Sequence, residues 1–340
     1  MKKVLLLPPV DNSSQYRSVQ AQILSKQYEL IDNSKYSNTL SLIKLINLSN
    51  DTILIFDWFH MYYSHPYSYI KTFAKCIIFF LILWLLRIKK VFYYVNLHNV
   101  KPHNSGWKNL DYYMHAIVLR KSKFIRVFSK YNSKVVEKYY KIPKSKIHVL
   151  YEAPKLINAK PKKNHSLNNF SVRLLIIGQI RRYKHIIEAL IELSDLLRDT
   201  KINLRIVGNI YDDICFQEIK DYIDSNMFDN VDLVPQYLTD QQFNQEIYNS
   251  DFVIVNSTQN YNSGVLTKCI MLNKPCIIRS QFGNIERMDK NKYFLINNGD
   301  LLETVKRSIS KKNSIPRTLY NKRLKDDFNL LELMGYYHEA

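Results

Sequence analysis

Short apolar runs alternate with longer amphipathic stretches along most of the chain. Val4-Leu5-Leu6-Leu7, set between Lys2-Lys3 and Pro8-Pro9, predicts a buried first strand and is far too short for the hydrophobic region of a signal peptide. Beyond the turn at Pro8, the pattern predicts a helix containing Val19, Ile23 and Leu24. A short strand over Tyr28–Ile31, a helical segment around Leu40–Leu48 and a further strand over Thr52–Phe56 follow. Asp57-Trp58-Phe59-His60 lies just past the end of that strand. This order is the rhythm of a parallel α/β domain.

Residues 76–86 (CIIFFLILWLL) are eleven consecutive apolar positions, preceded by Lys71 and Lys75 and followed by Arg87, Lys89 and Lys90. A transmembrane helix needs about 20. The run reads either as a helix buried between a sheet and its neighbours or as one lying in a membrane interface, anchored by the flanking cations; one element can do both. On the second reading, making Phe79, Leu83 and Leu86 polar weakens lipid binding. Val91–Val95 then predicts a strand that delivers Asn96, His98, Asn99 and His103 to its carboxyl end, the edge at which open α/β sheets bind ligands. A helical stretch from Asp111, strands over Phe124–Phe128 and Ile147–Tyr151 and a helix over Ser129–Tyr140 complete the first half. Lys155–Asn169 is polar, lysine-rich and aperiodic, as a linker is. A second alternating series opens at Val172–Gly178 and continues through Asn203–Gly208, Val231–Leu233, Phe252–Val255 and Pro275–Ile278. Two tandem nucleotide-binding-like α/β domains are expected, with the cleft between them as the default active site.

Composition supports this division. Over 340 residues, 46% apolar and 13% aromatic side chains supply real cores, and with only 7 glycines bulk disorder and fibrous repeats are excluded. Cys76, Cys215, Cys269 and Cys276 show no CxxC spacing, which disfavours a disulfide scaffold or a thiolate zinc site and fits a reducing compartment. The formal charge of +19 is uneven: residues 1–160 hold 25 Lys and Arg against 8 Asp and Glu, a net of +17, and residues 161–340 hold 24 against 22, a net of +2. So basic a first half attracts an anionic partner: nucleic acid, an acidic bilayer surface or a phosphorylated substrate. No zinc-finger, RNP or helix-turn-helix signature accompanies the charge, and the clearest apolar run lies among the lysines, so nucleic acid is not the expected partner.

Two strand-to-helix turns in the second half have the chemistry to hold phosphate. In Gly178-Gln179-Ile180-Arg181-Arg182-Tyr183-Lys184, backbone N–H groups at a helix start, assisted by Arg182 or Lys184, suit a diphosphate, although the segment also reads as a solvated basic turn. Around Asn260-Tyr261-Asn262-Ser263-Gly264, the following amides form either an anion-binding nest or an ordinary capped helix start. In the first half, His98 and His103 are candidates for substrate contact. Asp57 and His60 read as a base or sugar-binding group, or as a capped turn. His115, His148 and His165 read as structural or exposed. There is no HExxH, no Asp-x-Asp pair and no cysteine cluster, so no metal is expected; lysine, arginine and helix-start amides can balance leaving-group charge instead.

These pieces together resemble glycosyltransferases of the two-domain GT-B architecture, closest to the retaining GT4-like enzymes and their relatives in bacterial capsule or exopolysaccharide gene clusters. The resemblance covers nearly the whole chain and rests on FYYVNLHNVKPH at 92–103, GQIRRYKHI at 178–186, LRIVGN at 204–209 and NSGVLTKCIMLNKPCII at 262–278 with Phe282-Gly283-Asn284 beyond. It implies an acceptor-binding, membrane-facing domain over 1–158, a nucleotide-sugar donor domain over 170–320 and a C-terminal helix over 321–340 returning to the first domain, with Phe328–Tyr337 as its body. It implies transfer of a hexosyl group from a UDP- or GDP-sugar, UDP favoured, to a lipid-linked or polysaccharide acceptor, without metal or other cofactor. The expected site has Lys184, Arg182, His98 and Glu286 in catalysis. Gly178, Arg181, Lys184, Gln259, Asn262, Ser263, Gly264 and Val265 hold the donor, and Asp57, His60 and His103 are on the acceptor side. By spacing, the two glutamates usual in such enzymes fall on Gln259 and Thr267, and the usual arginine falls on Gln179, with Arg181 or Arg182 as substitute. A retaining outcome is implied; for an inverting one, Asp57, His60 and His103 are the candidate bases. An inactive or accessory transferase-like subunit is the rival reading. A partner subunit or homodimer, and a cytoplasmic location at the inner face of the cell membrane, complete the expectation.

Overall fold

The computed structural model describes residues 2–9, 15–65, 67–100, 107–151, 170–257, 263–279, 283–288, 290–296 and 300–315. They divide between two compact units, one reaching Lys155 and one starting at Leu156. His103, Gln259, Asn262, the linker and the expected return helix lie outside the described residues.

The first unit is a parallel sheet of β1 (Lys3–Leu7), β2 (Glu29–Leu30), β3 (Ile53–Phe56), β4 (Tyr93–Asn96), β5 (Ile125–Val127) and β6 (Ile147–Val149), in the order β2-β1-β3-β4-β5-β6. Both faces of β3 and β4 are buried, which is why they read as unbroken apolar runs rather than as alternation. The covering helices are α1 (Gln15–Leu24), α2 (His60–Tyr63), α3 (Tyr69–Ile88), α4 (Lys108–Lys121) and α5 (Lys130–Tyr140). Ser68 and Ser129 cap α3 and α5, their hydroxyls accepting from the N–H groups of Lys71 and Asn132. The helical segment expected around Leu40–Leu48 is a 3₁₀ helix over Leu40–Asn47. At its start Ser41 and Asn38 exchange side-chain bonds with each other's backbone, a local alternative to helix bonding.

The eleven apolar residues extend into the 20-residue α3, and the structure sorts them by face. Cys76, Phe79, Leu83 and Leu86 are buried, with the Phe79 ring edge-on to Phe56 at 6.0 Å and stacked on Tyr62 at 6.0 Å. Phe79, Leu83 and Leu86, which the interfacial reading set against lipid, therefore belong to the domain core, as the buried reading has them, and the other face of α3 is exposed.

The second unit contains β7 (Val172–Ile177), β8 (Ile202–Val207), β9 (Val231–Val234), β10 (Phe252–Val255), β11 (Cys276–Ile278) and β12 (Tyr293–Leu295), all parallel, in the order β12-β11-β10-β7-β8-β9. Its helices are α6 (Ile186–Leu197), α7 (Asp213–Ser225), α8 (Asp240–Asn249), α9 (Gly264–Met271) and α10 (Leu301–Ser310). Leu174, Ile176, Leu204, Ile206 and Ile254 meet Leu190, Leu193 and Ile219 on one side of the sheet; Leu175, Val253 and Cys276 meet Ile247, Leu266 and Ile270 on the other. The edge strand β12 was not expected, since three residues after a polar loop carry too little pattern.

In each sheet the strand order reverses once, between β1 and β3 in the first and between β7 and β10 in the second. Two strands whose crossovers leave in opposite directions open a crevice at their carboxyl ends, which is where α/β sheets bind ligands.

Candidate active site

In the second unit, β7 ends at Ile177 and the chain turns at Gly178, whose φ of +106° suits glycine. A Cβ there would lie 2.7 Å from Lys184 Nζ and 3.7 Å from Val265 Cγ2, so the lysine head fills the space glycine leaves and stands beside the start of α9. Gly208, just past β8, has the complementary reason to be glycine: a Cβ would sit 1.7 Å from the Gly178 carbonyl oxygen. The turn is tied down by Ile180 N–H donating to Asn209 O at 2.8 Å and Tyr211 N–H donating to Ile180 O at 3.2 Å.

Lys184 is half-buried as a residue, but its ammonium is deep, donating to Ile177 O at 3.3 Å. Burial, reinforced by the charge of Arg181, pushes it down to about 8. Arg181 lies over the Tyr211 ring at 4.1 Å. Arg182 points elsewhere: it is exposed and paired with Glu218 of α7 at 2.9 Å. Of the two arginines in this turn, Arg181 is the one whose charge acts at Lys184.

The start of α9 completes this corner. Ser263 Oγ accepts from Leu266 N–H at 3.2 Å and so caps the helix, while Gly264 is exposed with open space where a Cβ would be. Such a start presents unpaired N–H groups and the positive end of the helix dipole. Thr267 is turned inward, its hydroxyl donating to Ser263 O at 3.1 Å. Glu286 is exposed on a short 3₁₀ helix whose Ile285 packs beside the α9 core.

A group the sequence did not announce supports the lysine turn. Asn256, just past β10, donates from Nδ2 to His185 O at 2.6 Å and accepts from Arg279 Nε at 2.5 Å. Arg279 also pairs with Glu192, which accepts from Leu301 N–H at 3.0 Å. His185, left-handed at φ +52°, is thereby held immediately after Lys184. The only signal available was that Asn256 and Arg279 are the first polar residues beyond two buried strands.

In the first unit, Asp57 follows β3 and its N–H donates to Leu7 O at 2.8 Å, placing it at the reversal between β1 and β3. It is fully buried. Arg17 of α1 pairs with its Oδ2 at 2.7 Å, while His98 Nε2 and Asn96 Nδ2 each stand 2.9 Å from its Oδ1. Burial alone raises this carboxyl, but Arg17, His98 and Asn96 together outweigh it and hold the group below its ordinary value. Trp58 stacks on the His98 ring at 4.4 Å, and Phe128 lies on it at 4.8 Å. Asp57 thus sits beneath His98 and fixes its ring. Arg17, 40 positions away in the chain, was not among the candidates. His60, half-buried at the start of α2, acts by its charge on His115. His115 itself is core, with Nδ1 at 2.7 Å from the Tyr63 hydroxyl, and burial pushes it down to about 3.

Among the described residues, no cluster of three or more His, Cys, Asp or Glu side chains suits a metal ion. A separate cavity of about 200 Å³ lies toward the amino-terminal half of β7 and β8. Its charged wall is spent on ion pairs of Arg205 with Glu246 and Asp232, and it is at the wrong edge for an α/β ligand.

Two Rossmann-like units, each with its polar groups gathered at the strand-order reversal, make up the GT-B fold. Among solved structures, the HepE protein of Anabaena in complex with UDP and glucose is similar over 100% of both chains, with a TM-score of 0.71 and 12% identity. Sucrose-phosphate synthase from Thermosynechococcus elongatus is similar over 99% of this chain and 98% of its own, at a TM-score of 0.72 and 12% identity. A glycosyltransferase from Rickettsia africae is similar over 99% of both chains, at 0.66 and 14%. No family model and no curated protein sequence matches the chain.

Proposed function

We propose that the chain is a glycosyltransferase of the GT4-like, capsule or exopolysaccharide type. It would move a hexosyl group from a nucleotide-diphosphate sugar, UDP-linked in preference, to a lipid-linked or glycan acceptor. The observation that carries this reading is the buried Lys184 ammonium at the β7/β10 reversal, beside the open N-terminus of α9. A fixed cation and unpaired amides in one corner are the means of holding a diphosphate. Breaking the bond between the anomeric carbon and the diphosphate oxygen leaves charge on that oxygen. Lys184, Arg181 and the Gly264 and Val265 amides stabilise it without a metal. The acceptor hydroxyl oxygen forms the new bond to the anomeric carbon while its proton passes to the departing diphosphate oxygen, and His98, locked by Asp57, orients the acceptor or the sugar.

Thr267 supports a second reading. Where a carboxylate is usual it offers a hydroxyl already bonded within its helix, as in an accessory subunit that binds donor and does not turn it over. Glu286 is the carboxylate we assign to the sugar in a retaining reaction that runs by double displacement. The test is hydrolysis and transfer from UDP-sugars by the parent chain and by Glu286→Gln. Transferase activity lost in Glu286→Gln with UDP affinity kept supports the enzyme. UDP binding without any turnover supports the accessory subunit. We place the protein in the cytoplasm at the inner face of the membrane, where lipid-linked acceptors are presented.

A further inference from the structure

The exposed face of α3 carries Ile70, Phe73, Ile77, Leu81, Trp84 and Ile88, each between 47% and 80% exposed. At 100° per residue, their spacing confines them to a stripe about 80° wide and about 27 Å long. Beside it, the 3₁₀ helix Leu40–Asn47 exposes Leu40 and Ile43. A contiguous apolar stripe of this length on a water-facing domain marks an interaction surface. The helix is long and apolar enough to cross a bilayer, but its opposite face is built into the sheet through Cys76, Phe79, Leu83 and Leu86, so lipid cannot surround it.

The charges around the stripe identify what covers it. Residues 58–110 contain seven lysines and arginines and no acidic residue. Lys71, Arg87, Lys89 and Lys90 are exposed at the two ends of α3. Lys121 lies over the Phe80 ring at 5.9 Å and Lys123 over Phe92 at 5.3 Å, laying aliphatic stems along the apolar border. Among the described residues of this stretch the strip is flanked by cations, and such a strip is complementary to a uniformly negative sheet of headgroups with hydrocarbon beneath.

We propose that α3 docks the first unit on a bilayer containing anionic lipid, its axis in the membrane plane and this stripe seated at the boundary between headgroups and acyl chains. The inference rests on the peripheral placement proposed above and identifies the surface that makes the contact.

The test is flotation of the full chain with phosphatidylcholine vesicles, with and without phosphatidylglycerol. The parent chain should float with the phosphatidylglycerol vesicles, with a blue shift of tryptophan emission. Ile77→Glu/Trp84→Glu should bind about tenfold or more weakly. Lys71→Glu/Lys90→Glu should lose the preference for anionic vesicles, and Ile214→Glu, exposed on α7, should float like the parent. Because the substituted positions are exposed, these variants should keep the parent's Tm and its Tm shift with UDP, so that loss of docking and loss of the donor site give different patterns. Flotation of Ile77→Glu/Trp84→Glu equal to the parent would overturn the proposal. So would a parent chain that ignores vesicles and is a dimer in solution, with this variant monomeric, since the face would then be covered by a second copy.

Discussion

Lys184 is expensive for the unliganded protein and useful only to a bound anion. Taking its ammonium out of water lowers its affinity for a proton, and a diphosphate placed against it restores that affinity. Lys184→Met should therefore leave the unliganded Tm at or above the parent's while removing the UDP-induced shift, as differential scanning fluorimetry can read. Asn256→Ala is expected to weaken UDP binding several-fold without unfolding the unit, because it frees the His185 carbonyl and with it the lysine turn. Arg17→Met is the harsher change at the other reversal. It leaves Asp57 buried without its strongest partner, a loss of about 3–5 kcal/mol by analogy with other broken buried pairs, to be measured by urea unfolding.

At the level of elements, what was legible depended on how local the information is. The central strands were readable because a strand covered on both faces is a plain apolar run. The candidate-site loops were readable because each opens directly after such a run: Asp57 after β3, His98 after β4 and Gly178 after β7. Inside the apolar run of α3 every position is hydrophobic, so periodicity cannot say which face is core; the buried reading holds for Phe79, Leu83 and Leu86, and the interfacial reading had set these three on the wrong side. Partners brought by distant elements were equally hidden: Arg17 to Asp57, and Glu192 and Arg279 to Asn256. The cap of α9 was foreseen as one of two meanings. The structure shows the cap, with Ser263 closing the first turn, and Gly264 leaves room in front of it. Gly264→Val should fill that space and weaken UDP binding more than it changes Tm, an outcome that calorimetry and thermal melting separate.

On the scale of the whole molecule, charge and titration divide the units as composition does. His115 and Asp57, both in the first unit, have folded values below their unfolded ones. The unfolded chain binds a proton at His115 that the folded chain refuses, so stability falls as pH drops from about 6.5 toward 3. The Asp57 contribution is present above the ordinary carboxylate range and is lost as pH falls through it. Acid should thus destabilise the first unit preferentially, seen by hydrogen exchange in β3, β4 and α4. In the second unit Lys184 and Lys274 both sit near 8. Between about 8 and 10.5 the unfolded chain holds protons there that the folded chain has released, so these two groups add stability as pH rises. UDP affinity should decline over the same interval, because Lys184 is losing the charge that holds the diphosphate.

The most direct measurement of the donor site is titration calorimetry of UDP into the parent chain and into Lys184→Met at pH 7. The arrangement of Lys184, Gly178 and the start of α9 predicts saturable one-site binding to the parent chain and at least about tenfold weaker binding to the variant. No binding to the parent, or equal binding to both, would contradict it.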